Sequence, residues 1–282
     1  MRTRLLAAAV AALTCACAPA SAAADGAAAA ARAAARGPAV RLTAGFPRGA
    51  LLGAETPVRL GLRIDPRRRP SPVRELRVRF PASLGIATSG LGTESCARPA
   101  SDFVAVMILG GGLAGCSRNA VMGRGTARAE VRLGGSDRAG SLVIPELARV
   151  SMLAAPFERE RFGLLFIANG LRPFGVTLAF RGVIESAPRP YGGALLLNVP
   201  PVPNRFDADV ALTAIAFEIG ARDIRYRRGR GARATLYRPE GIVLPERCPR
   251  DAFPFHAQLT FADGSAAEAA ATIPCPPPPR TP

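Results

Sequence analysis

The stretch from Cys248 to Cys275 constrains the fold most, because two cysteines enclose the segment FPFHAQLTFADGSAAEAAATIP. Phe255, Ala257, Leu259 and Phe261 fall on one face and His256, Gln258 and Thr260 on the other, the period-two pattern of a strand with one buried side. Asp263-Gly264 follows, a pair suited to the positive φ values of a two-residue hairpin turn. A hairpin clamped at both ends is expected, and it points to a β fold formed in an oxidising compartment.

The N-terminus agrees with export. MRTR precedes an apolar run from Leu5 to Ala18 and then Ala20-Ser21-Ala22, so residues 1–22 read as a secretory signal. Cys15 and Cys17 leave with it. As lipid attachment sites they are poorly served by the residues ahead of them, so a free secreted or cell-wall-associated protein is expected rather than a lipoprotein. Cys96, Cys116, Cys248 and Cys275 remain, with three possible pairings; spacing favours Cys96 with Cys116 and Cys248 with Cys275. Each closed loop is worth on the order of 3 kcal/mol on a chain-entropy estimate. Beyond the signal the strongest apolar run, Phe103 to Leu109, falls far short of the roughly twenty residues of a membrane-spanning helix.

All 37 basic residues are arginine, in a chain rich in Ala, Gly and Pro, which resembles the coding bias of a GC-rich bacterial genome. Without Arg2 and Arg4 the chain still has a net charge of about +14, enough to attract wall acids, acidic glycans or phospholipid head groups.

Residues 23–38 form an alanine-rich linker with no apolar stripe to pack. Strand signals follow. Val58, Leu60, Leu62 and Ile64 alternate with Arg59 and Arg63; Leu76, Val78 and Phe80 alternate with Arg77 and Arg79. Ala127, Ala129, Val131 and Leu133 alternate with Arg128, Glu130 and Arg132, which places those three on the wet face. Further strands are expected over 148–153, 164–168, 176–184, 194–199, 211–219 and 232–238. Composition breaks at Ser186 to Gly193, so a domain boundary is placed near Arg189. The expected fold is all-β: two β-sandwich-like domains, residues 39–188 and 189–276, each with one disulfide, and a disordered tail at 277–282.

Several of these segments resemble a diffuse group of uncharacterised secreted two-domain β-rich proteins of high-GC actinobacteria. The residues that carry the resemblance are Cys96 to Cys116 followed by Gly123-Arg-Gly-Thr-Ala-Arg-Ala-Glu-Val131, then Pro190-Tyr-Gly-Gly193 and Leu197-Asn-Val-Pro200. The most specific are Cys248-Pro249, Phe253-Pro-Phe255, Phe261-Ala-Asp-Gly-Ser265 and Pro274-Cys275-Pro276. The resemblance implies export and a β fold, and brings no activity or ligand. The chain departs from the group at Phe103 to Gly112, which is apolar here and is a candidate surface for homo-oligomer contact.

The residues offer little chemistry. His256 is the one histidine, on the polar side of its strand, and no G-x-S-x-G elbow accompanies it. Gly110-Gly-Gly112 lacks the G-K-[ST] of a phosphate loop. Asp207, Asp209 and Asp263 fall short of the six to eight oxygens of a calcium site. Nothing singles out a pair among Glu146, Glu158, Glu160 and Glu218 for glycoside hydrolysis. Two basic loops are more suggestive: Arg225, Arg227, Arg228 and Arg230, interleaved with Tyr226 and Tyr237, and Arg67, Arg68 and Arg69. Both are candidate contacts for an anionic polymer, provided the fold unites them; nucleic acid is not an expected partner of an exported chain.

The expected function is a secreted or cell-surface structural or binding protein with no catalytic residue, metal or cofactor. The alternatives are a binding module for anionic cell-wall polymer or glycan, and a hydrolase of unfamiliar type.

Overall fold

Period-two segments dominate the structure, a computed structural model that describes residues 37–68, 71–85, 89–97, 113, 115–133, 142–173, 175, 177–201 and 208–279. The strands are β1 (Val40–Gly45), β2 (Glu55–Thr56), β3 (Val58–Ile64), β4 (Val73–Pro81), β5 (Val121–Leu133), β6 (Leu142–Glu158), β7 (Arg161–Arg172) and β8 (Thr177–Ser186). They continue with β9 (Tyr191–Asn198), β10 (Ala208–Ile219), β11 (Tyr226–Arg228), β12 (Thr235–Tyr237), β13 (Ile242–Val243), β14 (Phe253–Phe261) and β15 (Ala266–Ile273). The signal, most of the alanine-rich linker, Arg69 and the run Phe103 to Gly112 lie outside the described residues.

Eleven of these strands form one antiparallel sheet in the order β1-β3-β10-β5-β6-β7-β8-β9-β4-β14-β15, curled into a nearly closed barrel. This corrects the expectation of two β-sandwich-like domains. From the first half, β4 lies between β9 and β14; from the second half, β10 lies between β3 and β5. The boundary expected near Arg189 is the turn of the β8–β9 hairpin, within the sheet. Alternation of polarity identifies strand faces in a sandwich and a barrel alike, and only partner choice separates the two.

Strand direction alternates along the sheet, so with eleven strands β1 and β15 run the same way and the seam between them is parallel. At its start the Gly37 N–H donates to the Ala266 carbonyl at 2.8 Å. A Cβ at Gly37 would stand 2.8 Å from that oxygen and 3.1 Å from the Phe261 ring, so the approach requires glycine.

The barrel is filled. Leu62, Leu76, Val78, Phe80, Met152, Leu164, Phe166, Leu197, Phe255, Leu259 and Phe261 are buried inside it. Phe166 stacks on Phe180 at 5.6 Å. Phe217 of β10 lies over β5, where a Cβ at Gly123 or Gly125 would stand 2.7 or 2.6 Å from its ring. Glycines facing aromatic rings are a means of curving a sheet. The outer face carries arginines instead, the reverse of the apolar exterior of a lipid-spanning barrel. No helix among the described residues is long and apolar enough to cross a membrane.

The barrel ends differ. Strand directions put the connections after β1, β4, β6, β8, β10 and β15 at one end. There Leu52, Leu84, Leu91, Ile242 and Leu244 plug the core, and Phe46 meets Phe253 edge-on at 5.0 Å. Both expected disulfides lie at this end, Cys96–Cys116 with Cα atoms 5.2 Å apart and Cys248–Cys275 with Cα atoms 5.7 Å apart. The tail begins ordered there, since the Leu52 N–H donates to the Pro277 carbonyl. A second core sits on the outer face of β6–β8: Leu153, Ala155, Leu165, Ile167 and Ala179 pack under Cys96, Ile224 and Tyr226. These wall strands are therefore apolar on both faces, as Met152, Ala154, Leu164 and Phe166 point inward.

Two local expectations change. Gly264 alone in its turn has positive φ, +80°, and its N–H bonds to the Phe261 carbonyl while the Phe261 N–H bonds to Ser265. The loop is thus a three-residue turn with a glycine bulge, not a two-residue turn. Arg132, expected on the wet face, is 3% exposed and pairs with Glu130 at 3.2 Å.

Candidate functional site

The basic loop at Arg225 becomes the β11–β12 hairpin, standing on the second core. Asn119 anchors it. The Asn119 side chain accepts the Arg227 N–H at 2.8 Å and donates to the Arg227 carbonyl at 2.9 Å, in place of a neighbouring strand. Tyr226 is wholly buried; its hydroxyl donates to the Val121 carbonyl at 2.7 Å and accepts the Gly92 N–H at 2.6 Å. Burial pushes its pKa up to about 12.

Three of the four predicted hairpin arginines are engaged locally. Arg225 donates to the carbonyls of Arg222 and Ile224, Arg227 to that of Gly231, and the Arg228 guanidinium lies 4.7 Å over the Tyr237 ring. Arg230 is exposed at the tip. The other predicted loop does not join them. Arg67 and Arg68 belong to a 3-10 turn just after β3, where the Asp65 carboxylate accepts the Arg67 N–H at 3.0 Å. In the register of β3 with β10, Val58 pairs Ile219 and Arg63 pairs Ala214, so the turn lies at the barrel end opposite the hairpin.

A different group comes together on the outer wall formed by β1, β3, β10 and β5. Arg41 is directly opposite Arg63, Arg63 opposite Ala214, and Ala214 opposite Arg128, which makes one row across four strands. The next row is Thr43, Gly61, Ala216, Thr126 and Arg149; the third is Gly45, Arg59, Glu218 and Arg124. Two depressions of about 450 Å³ each lie along β3 on this wall. One is lined by Arg41, Arg63, Asp65, Arg128, Thr213 and Ala214, the other by Thr43, Arg59, Gly61, Arg124, Ala216 and Glu218. In the second, Arg59 pairs with Glu218 at 2.9 Å and Arg124 with Asp223 at 2.7 Å. Arg41, Arg63, Arg128 and Arg149 are exposed and have no acidic partner among the described residues.

On the opposite wall Arg74 and Arg172 are exposed without an acidic partner among the described residues, and other arginines are paired. Arg77 and Arg161 share Glu185 at 3.3 and 3.7 Å, and Arg181 pairs with Glu158. Arg79 donates to His256 Nδ1 at 3.4 Å, while His256 Nε2 lies 3.4 Å from Glu268. Gln258 donates to Glu268 at 2.7 Å and, with the charge of Arg79, holds that carboxyl below its usual pKa. The His256 side chain, expected to face solvent, is 17% exposed between these partners.

The other candidates disperse. Glu158 and Glu218 are in ion pairs, Glu160 occupies the β6–β7 turn, and Asp263 accepts hydrogen bonds from the N–H and hydroxyl of Ser265. Asp209 faces Arg132 across strands, while Asp207 and Gly110 to Gly112 lie outside the described residues. Among the described residues no three His, Cys, Asp or Glu side chains group to hold a metal.

Comparison with protein families, with curated proteins and with solved structures finds no match to this chain.

The signal for the arginine row was partly visible, because Arg63 and Arg128 each alternate with apolar residues. Its composition was not, since Arg41 meets Arg63 only through the β1–β3 pairing and Arg128 joins their row only when β10 lies between β3 and β5.

Proposed function

We propose that the chain is an exported binding protein without catalytic activity, and that it holds an anionic polymer on its β1–β3–β10–β5 wall. The observation that carries this reading is the row of exposed arginines across that wall. Coding bias accounts for the abundance of arginine; it does not account for Arg41, Arg63 and Arg128, from three separate strands, being set in one row without an acidic partner among the described residues. Like charges directly opposite each other destabilise a sheet, so the row costs folding energy that an anionic ligand offsets. Two disulfides fit an oxidising compartment, and an arginine-bearing exterior fits work in water.

The test is retention of the mature protein on purified cell wall and on an immobilised anionic polymer at low salt, with elution by a salt gradient. Retention that falls steeply with salt is expected, because each arginine contact releases counterions. Passage through both columns at low salt would overturn the reading.

A further inference from the structure

We propose that the depression around Ala214 is a subsite for the phosphate groups of a soluble polyanion, held by Arg41, Arg63 and Arg128. This rests on the reading above and narrows it to one place and one oxyanion.

Neighbouring strands lie about 4.8 Å apart, so Arg63 and Arg128, on either side of Ala214, have backbones roughly 10 Å apart. Ala214 contributes only a methyl group between them. Arg63 and Arg128 both line the depression above that methyl, and Arg41, directly opposite Arg63, lines it too. The strand is irregular there: β10 shifts register between Leu212 and Ala214, and the extra residue, Thr213, donates its hydroxyl to the Arg128 carbonyl at 3.1 Å. That bond ties β10 to the backbone that carries Arg128. Asp65 is the acidic residue of the lining, next to the turn, with Oδ1 already accepting the Arg67 N–H. It keeps an anion toward Ala214 and away from the turn.

Three guanidinium forks suit a tetrahedral phosphate, which presents oxygens in several directions. A carboxylate has two oxygens, and one bidentate arginine satisfies both. The path for the rest of the polymer lies along β3, over Gly61 and Ala216, where no large side chain rises. In that second depression Arg59 and Arg124 are neutralised by Glu218 and Asp223, so of the arginines lining the two depressions the unmatched ones are those around Ala214.

Titration calorimetry of the mature protein at low salt tests this, with short-chain sodium polyphosphate, polyglutamate of matched charge and phosphatidylglycerol vesicles as probes. Polyphosphate is expected to bind more tightly than polyglutamate. Arg63→Gln and Arg128→Gln are each expected to lower polyphosphate affinity about tenfold, the loss of one charge-assisted contact. Arg77→Gln on the opposite wall is expected to leave it within about twofold. Circular dichroism of each variant establishes that it is folded. Equal binding of the two polymers would overturn the phosphate subsite and leave the polyanion reading standing; equal effects of Arg63→Gln and Arg77→Gln would overturn the placement on this wall as well. Binding to vesicles in preference to polyphosphate would overturn the soluble partner. Binding of none of the three would overturn both proposals.

Discussion

At the scale of single residues, the molecule separates groups that serve the fold from groups that burden it. Tyr226 serves it. Its buried hydroxyl satisfies one donor and one acceptor of the backbone, so Tyr226→Phe strands Gly92 N–H and Val121 C=O at a cost of about 1–3 kcal/mol in denaturant unfolding at neutral pH. Its pKa adds a pH signature. The folded-state value, about 12, lies above the ordinary 10, so the stabilisation is complete below pH 10 and is lost as pH rises toward 12. Wild type should therefore lose stability relative to Tyr226→Phe across that window; parallel curves for the two proteins would contradict the assignment. Arg63 is a burden. Placed opposite Arg41, it repels a like charge, and Arg63→Thr, with better strand propensity, should gain about 0.2–1 kcal/mol while polyanion retention falls. A variant less stable than wild type would show that the row is not strained by its own charge.

At the scale of elements, the β6–β7 hairpin has an unusual turn. Arg159 and Glu160 have φ of 47° and 67°, the left-handed pair of a two-residue hairpin turn, without the glycine or asparagine such turns favour. Left-handed backbone costs ordinary side chains about 1–2 kcal/mol per residue, so Arg159→Asn with Glu160→Gly should raise the unfolding free energy by about 1–2 kcal/mol net of glycine's entropy. An unchanged or lower midpoint would refute the turn assignment. The terminal hairpin is secured differently. Cys248 precedes β14 and Cys275 follows β15, so replacing both by serine frees the edge strand at the seam and should cost about 2–4 kcal/mol. Amide exchange should quicken first in β15, next to the seam with β1; uniform exchange would argue against a weak edge there.

At the scale of the whole molecule, the sheet order means that neither half is a folding unit. A chain ending at residue 188 lacks β9 and β14, the two partners of β4, and also β10, which joins β3 to β5. Residues 39–188 and 189–276 expressed separately should each lack cooperative unfolding, and should form the barrel only when mixed or joined. A stable, cooperatively unfolding fragment 39–188 would show that the strand order does not govern folding. The seam sets a further condition: an odd number of strands leaves one parallel contact, made where Gly37 allows β1 to approach β15.

Sequence alone determined the local features, because they depend on neighbours along the chain. Alternation at Val58 to Ile64, Leu76 to Phe80 and Phe253 to Phe261 specified strands and their inner faces, and cysteine spacing specified both disulfides. Arg132 escaped this reading since its burial depends on contacts that alternation does not record. Tertiary structure alone decided partnership. Partnership made one barrel of what reads as two sandwiches, placed Arg67 and the β11–β12 hairpin at opposite ends, and assembled Arg41, Arg63 and Arg128 from three separate stretches. The physical reason is that a strand's hydrogen-bonding edges are the same backbone groups whatever its sequence. Which strand pairs with which is settled by how all the inner faces fill one core, and charge on the outer faces follows from that choice.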